Sequence, residues 1–296
     1  MNYQHHYHAG SFADVLKHLV LAELILTVRQ KETPFGYIDT HAGAGLYDLR
    51  AAKAQKTQEF SVGIERLLSG SGSASQANVN DMNETLAFYI KAVRAAGYPH
   101  YYPGSPWLAT AWLRSIDTCT LIEKHPETVQ ELKSCFDPKT GNPMPNPTPP
   151  TMAIHQRDAY EGLKALLPRQ PSRGLILIDP PYEKNNEWAQ CSIAVQHAVM
   201  HYRQGIFAIW YPIKGDNDGK RDLRQLREIL PATVPLLKVE LSVLDKTVRQ
   251  GLIGSGMIIL NPPWQLKSRI EAWLPVVWQR LSPEGKGYCE IQTVVR

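Results

Sequence analysis

Gly174-Leu175-Ile176-Leu177-Ile178-Asp179-Pro180-Pro181-Tyr182 is the stretch on which the reading of this chain turns. An uninterrupted apolar run between a glycine and an aspartate suits a strand buried on both faces, as strands of a parallel sheet are. The two prolines stop the strand, fix the backbone and remove two N–H donors, which leaves carbonyl oxygens to face a site at the strand's C-terminal edge. A carboxylate and a carbonyl there can accept both hydrogens of an exocyclic amine, and Tyr182 can stack on a base taken out of its helix. Asp179, Pro180 and Tyr182 are therefore the candidate catalytic residues. The competing reading is a proline-stopped strand beside an incidental tyrosine.

Outward from this centre, short apolar runs alternate with helical text. Residues 35–39, 119–123, 152–155 and 205–210 read as further strands, and 11–30 as an amphipathic helix with Phe12, Val15, Leu16, Val20, Leu21 and Leu24 at helical spacing. That alternation implies a parallel sheet wrapped on both faces. Residues 237–244 and 256–260 have only a loop between them, which suggests an antiparallel pair at the sheet's edge. The expected fold class is α/β, a Rossmann-like domain with a mostly parallel seven-stranded sheet and an antiparallel edge hairpin. The main domain is drawn from residues 1–49 and 99–296, and the polar, helical stretch 50–98 is read as an inserted subdomain. A spacer with six prolines between 138 and 150 should be an exposed loop.

Strand 35–39 runs into His41-Ala42-Gly43-Ala44-Gly45, a strand-to-glycine turn of the kind that lets a nucleotide-type ligand approach the backbone. Taken alone, it is equally an ordinary turn. Glu123 ends the next strand, where an acid bonds ribose hydroxyls, and the helical insertion accounts for its distance in sequence; a solvated strand-end acid is the alternative. Asp158 stands either to accept from an adenine amine or to cap the following helix, and the sequence leaves both open. A second Pro-Pro motif, Asn261-Pro262-Pro263-Trp264, follows the presumed edge hairpin and is assigned a structural role as strand stop and helix start.

Composition excludes little but is informative. The net charge of +4 is modest, so any nucleic-acid contact must come from local patches. Lys220, Arg224 and Arg227 share a helical face and are candidates for phosphate contact, against the reading of a merely solvated face. His5, His6, His8 and His18 cluster near the N-terminus without a completing acid or cysteine set, so no metal is expected; the arm with Tyr3 and Tyr7 can contact bases or phosphates, or be plain ordered chain. The four dispersed cysteines, the lack of a signal-peptide pattern and the lack of a long apolar run point to a cytoplasmic protein that is not in a membrane.

With these residues assembled, the chain resembles the bacterial RlmJ family, which methylates N6 of an adenosine in 23S ribosomal RNA. The resemblance rests on Tyr3 with His8-Ala9-Gly10 and Ala13 to His18, on Asp39 to Gly45, on Tyr101-Tyr102-Pro103-Gly104-Ser105-Pro106, on Glu123 with His125-Pro126, on Asp179 to Tyr182, on Trp210-Tyr211-Pro212, and on Ser255-Gly256-Met257 leading into Asn261 to Trp264. It implies a class I methyltransferase fold with a small helical insertion and S-adenosyl-L-methionine as cofactor. It also implies that Lys17, His18, His41, Ser105, Glu123, Asp158 and Asp179 surround that cofactor, beside Gly43 of the turn, and that Asp179 is the catalytic proton acceptor. Tyr3 would lie near the substrate. Where the family often has glycine after the aspartate, this chain has Ala159, whose backbone contact survives the change. The implied target is adenosine 2030 of protein-free 23S rRNA, the expected state a monomer. A DNA adenine methyltransferase, or a non-catalytic nucleic-acid binding protein serving DNA uptake or use, are the rival readings.

Overall fold

A computed structural model describes residues 4–69, 83–167, 170–184, 186–215, 220–248 and 251–294, with side chains of the helix that begins at Lys220 described from Leu223 onward. Tyr3 and the side chain of Lys220 therefore lie outside the described residues.

The strands are β1 Gly36–Asp39, β2 Leu46–Asp48, β3 Tyr101–Pro103, β4 Thr118–Glu123, β5 Thr151–Gln156, β6 Gly174–Ile178, β7 Ile206–Lys214, β8 Leu236–Ser242, β9 Leu252–Leu260 and β10 Tyr288–Thr293. The helices are α1 Phe12–Arg29, α2 Ala52–Thr57, α3 Ile64–Ser69, α4 Glu84–Ala95, α5 Ser105–Trp112, α6 Pro126–Cys135, α7 Ala159–Leu166, α8 Glu187–His201, α9 Lys220–Ile229, α10 Leu266–Glu271 and α11 Leu274–Leu281.

Eight strands form one sheet in the order β10-β8-β9-β7-β6-β1-β4-β5, and β2 pairs with β3 apart from it. β5, β4, β1, β6 and β7 are mutually parallel, whereas β9 runs antiparallel between β7 and β8. Chain order reverses at β1, with β4 on one side and β6 on the other, the point where α/β sheets open a crevice at their strand C-termini. This is the α/β, Rossmann-like architecture that the alternation of strands and helices predicts. The sheet has eight strands rather than the expected seven, and the β8–β9 hairpin is not its edge: β10 pairs antiparallel along β8 from Tyr288↔Ser242 to Thr293↔Leu237. β10 has no apolar run, because an edge strand buries only part of one face. It is tied instead by Lys238, whose ammonium donates to Glu240 at 3.1 Å and to Glu290 at 2.9 Å.

α1 is almost wholly buried, and its polar residues Asp14, Lys17, His18 and Glu23 are buried with it. Its length of apolar surface on all sides explains why it lies within the molecule rather than on it. The helices of the 50–98 stretch share its core: Leu86, Tyr89, Ile90 and Val93 of α4 pack in the same cluster as Leu16, Leu19 and Val20.

The two Pro-Pro motifs fall at opposite ends of the sheet. Leu260, just before the second, pairs with Phe207 at the start of β7, while Ile178, just before the first, pairs with Ile209 farther along it. Asn261 takes a left-handed φ of 53° and its amide donates to the Arg203 and Gly205 carbonyls at 3.0 and 2.8 Å. The stop is thus made by Asn261 and the prolines, since Trp264 is 95 % exposed. Trp264→Ala is accordingly expected to change unfolding free energy by less than about 0.5 kcal/mol, measured by urea denaturation. A loss of several kcal/mol would show that the ring packs in solution.

Candidate active site

The ends of β1, β4, β5 and β6 open on one cavity of about 420 Å³, a volume suited to a small organic ligand. Lys17, His18, His41, Gly43, Ser105, Glu123, Asp158, Ala159 and Asp179 all line it. Residues remote in sequence meet there because α1, the β1 turn, the α5 N-terminus and three further strand ends converge on the same edge.

The glycine turn is built around Glu123. Gly43, at φ 63°, donates its N–H to Glu123 Oε2 at 3.0 Å, and His125 N–H donates to Oε1 at 2.8 Å. A Cβ on Gly43 would lie 2.4 Å from the Tyr47 hydroxyl, so only glycine serves. Asp158 does cap α7, accepting from Tyr160 N–H at 3.0 Å and Glu161 N–H at 3.4 Å, while Oδ2 takes Lys124 Nζ at 3.0 Å on the cavity's rim.

Beneath the Pro-Pro motif lies a buried ionic chain. Lys17 Nζ donates to Asp179 Oδ2 at 2.6 Å and contacts Asp14 Oδ1 at 2.8 Å. Burial opposes the lysine's charge, but the two carboxylates outweigh it and hold Lys17 above its ordinary value. Asp14, also buried, is held well below the usual carboxylate range by His5 and Lys17. Tyr182 does not line the cavity: it adopts φ 50°, its hydroxyl donates to the Trp210 carbonyl at 2.8 Å, and its ring lies beside Trp188 with centroids 6.1 Å apart. Of the two prolines, Pro181 lines the cavity.

Asp39, at the end of β1, is fully buried and accepts from the Tyr37 hydroxyl at 2.9 Å. Burial pushes its carboxyl up to about 6, hydrogen bonds from Ser105 and Tyr37 notwithstanding. The folded protein thus holds this proton more tightly than the unfolded chain does. The associated stability is complete below an ordinary aspartate value of 3.8 and is lost as pH rises through about 6. Wild type should therefore lose about 2–3 kcal/mol relative to Asp39→Asn between pH 4 and 7, read as converging or crossing melting temperatures. Parallel profiles would contradict the assignment.

Several lining residues are not among the cofactor-site candidates of the sequence reading, which takes His5 and His6 only as a discounted metal cluster and part of an arm that can contact bases or phosphates. Gln4, His5 and His6 cover one side, in and beside a 3-10 turn at His5–Tyr7. His5 bonds Asp14 at 2.9 Å, His8 bonds Glu59 at 2.8 Å and His6 lies 3.5 Å from Glu131. Tyr160 and Glu187 form another wall, the hydroxyl donating to Oε1 at 3.0 Å. Among the described residues no group of three His, Cys, Asp or Glu side chains is placed to hold a metal ion. The helical basic face lies elsewhere. Arg224 is exposed, but Arg227 spends its guanidinium on the carbonyls of Pro231, Ala232 and Val234, closing the turn after α9.

A family model described as "Ribosomal RNA large subunit methyltransferase D, RlmJ" matches residues 32–295. The chain belongs to this family. Among its members, ribosomal RNA large subunit methyltransferase J of Escherichia coli (strain K12) is 35% identical over 298 residues, covering 100% of this chain and 99% of the relative. The Haemophilus influenzae protein of the same name is 33% identical, covering 99% of each. The crystal structure of a Legionella pneumophila protein shares 29% identity with a TM-score of 0.82, over 97% of this chain and 98% of that one.

Proposed function

We propose that this chain transfers a methyl group from S-adenosyl-L-methionine to N6 of an adenosine in 23S ribosomal RNA, adenosine 2030 by the family's count, acting on protein-free RNA as a cytoplasmic monomer. The observation that carries this reading is the shared cavity: the Asp179 carboxylate faces the same space as Gly43, Glu123 and Asp158. The residues fit the cofactor. Glu123 stands where ribose hydroxyls are bonded, Asp158 and the Ala159 backbone where an adenine edge is read, and the glycine turn admits a ligand close to the backbone. Bound there, S-adenosyl-L-methionine supplies an electrophilic methyl group on a sulfonium. Asp179 and the Pro180 carbonyl accept the two amine hydrogens, which localises the nitrogen lone pair toward that methyl. Asp179 then accepts the proton shed by the methylated amine, and Lys17 holds the carboxylate in place. Tyr182, the last residue of the motif, is the ring expected to stack on the extruded base outside the cofactor cavity, with Tyr3 as a further substrate contact.

Among the described side chains of the α9 basic face, Arg224 is the one open to phosphate, whereas Arg227 is engaged in its turn. No described helix is long and apolar enough to cross a membrane.

Methyl transfer to 23S rRNA and to DNA of equal sequence, followed by nucleoside mass spectrometry, tests the reading. N6-methyladenosine in RNA alone is expected; methylation of DNA alone would make the protein a DNA adenine methyltransferase. Calorimetry separates both from a non-catalytic binder, which takes up no cofactor. In the same assay Glu123→Ala should weaken S-adenosyl-L-methionine by roughly 1–3 kcal/mol, the worth of charge-assisted hydrogen bonds plus a turn left unsupported.

A further inference from the structure

The wall made by Tyr160 and Glu187 holds a carboxylate that the protein leaves half used. Glu187 stands in the first turn of α8, lines the cavity and is only 8 % exposed. Its Oε1 accepts from the Tyr160 hydroxyl at 3.0 Å, and among the described residues its Oε2 accepts from none. The unpartnered side-chain atoms sealed from solvent, among the described residues, are His18 Nε2, Thr110 Oγ1, Ser192 Oγ and Arg227 Nε. Glu187 Oε2 is not one of them, so it is reached from the cavity that its residue lines.

Two other acids of the cavity are satisfied by the protein itself. Glu123 receives a backbone N–H on each oxygen, from Gly43 and from His125. Asp158 receives the Tyr160 and Glu161 N–H groups on Oδ1 and Lys124 Nζ on Oδ2. A carboxylate this deeply buried with one oxygen unbonded is costly, and a donor on the ligand offsets that cost. The position of Glu187 selects the donor. Tyr160 follows Asp158 and Ala159 directly at the start of α7, and α8 packs along that helix. On the cofactor reading, Asp158 and Ala159 meet the adenine edge and Glu123 meets the ribose. The donors of that nucleoside end are the ribose hydroxyls, which Glu123 takes, and the two hydrogens of the C6 amine. Asp158 has room for one of these, because its Oδ1 and part of its Oδ2 are engaged.

We infer that Glu187, held by the Tyr160 hydroxyl, accepts a hydrogen of the C6 amine of the cofactor's adenine and makes the cavity specific for an amine at that position. This rests on the cofactor reading above. A carboxylate has no hydrogen to offer, so a ligand with hydrogen or oxygen in place of the amine leaves Oε2 unpaired or sets it against another lone pair. Tyr160 is a positioning residue: its hydroxyl fixes one oxygen and thereby aims the other.

The test is a pair of ligands that differ at the amine alone. Calorimetry compares S-adenosylhomocysteine with its 6-deamino analogue, in which hydrogen replaces the adenine amine. Wild type should bind the analogue more weakly by roughly tenfold or more, the worth of one hydrogen bond to a charged group. Glu187→Ala should weaken S-adenosylhomocysteine by roughly tenfold or more, and should leave the analogue within about twofold or bind it better, since the analogue makes no use of the carboxylate. Tyr160→Phe, which keeps the ring, should weaken S-adenosylhomocysteine by a smaller factor and again spare the analogue. Variants that lose both ligands equally, or neither, overturn the inference, as does a wild type that binds the two alike. A wild type that binds neither overturns the cofactor reading itself.

Discussion

Asp179→Asn is expected to lower the single-turnover rate of methyl transfer by about 10²- to 10⁴-fold, the usual worth of a positioned acid–base group. The side chain keeps its size, but an amide accepts with one oxygen only and takes up no proton from the methylated amine. Its other end presents an N–H pair to Lys17 Nζ, which at 2.6 Å now donates to a carboxylate. Lys17 retains Asp14 at 2.8 Å, so the buried lysine is not abandoned and the fold should survive. Cofactor affinity should stay within a few-fold, because Glu123 and the glycine turn are untouched. A variant that binds cofactor and RNA normally and still turns over near the wild-type rate would remove Asp179 from the chemistry.

Lys17→Met should be the most damaging single change to stability at the site, costing about 3 kcal/mol. Breaking a buried ion pair by deleting one partner is typically worth about 3–5 kcal/mol, because the remaining charge is left buried. The low end applies here, since Asp14 keeps the Gly10 N–H at 3.0 Å and His5 at 2.9 Å. Methyl transfer should also fall, as Asp179 loses the cation that orients it. Adding Asp14→Asn to Lys17→Met should recover part of the stability but none of the activity, a non-additivity expected of neighbours in one network. Chemical denaturation of the two single variants and the double variant checks this. Fully additive losses would mean that Lys17 and Asp14 do not stabilise one another.

Much of this was legible from residue order. β1, β4, β6 and β7 carry apolar runs that mark buried parallel strands, and the strand ends at Asp39, Glu123 and Asp179 fall on one edge once those strands align. What residue order hides is the partner across space. β10 is half exposed and reveals itself only through its pairing with β8 and the Lys238 to Glu290 contact. Asn261 to Trp264 reads as a strand stop, but residue order does not show that the asparagine makes that stop while the tryptophan stays exposed. Arg227 shares a helical face with Arg224, but the turn that follows α9 brings three carbonyls within its reach. His5 reaches the site because a short 3-10 turn folds the N-terminal segment back onto α1, and no periodicity announces that.

The central claim is that the Asp179 centre methylates one adenosine of 23S rRNA at N6. Its most direct test is nucleoside and fragment mass spectrometry of ribosomal RNA from a strain lacking the gene. The account predicts loss of a single N6-methyladenosine from the 23S rRNA, restored by the wild-type gene and not by Asp179→Asn. An unchanged modification profile in the deletion strain, or restoration by Asp179→Asn, would contradict it.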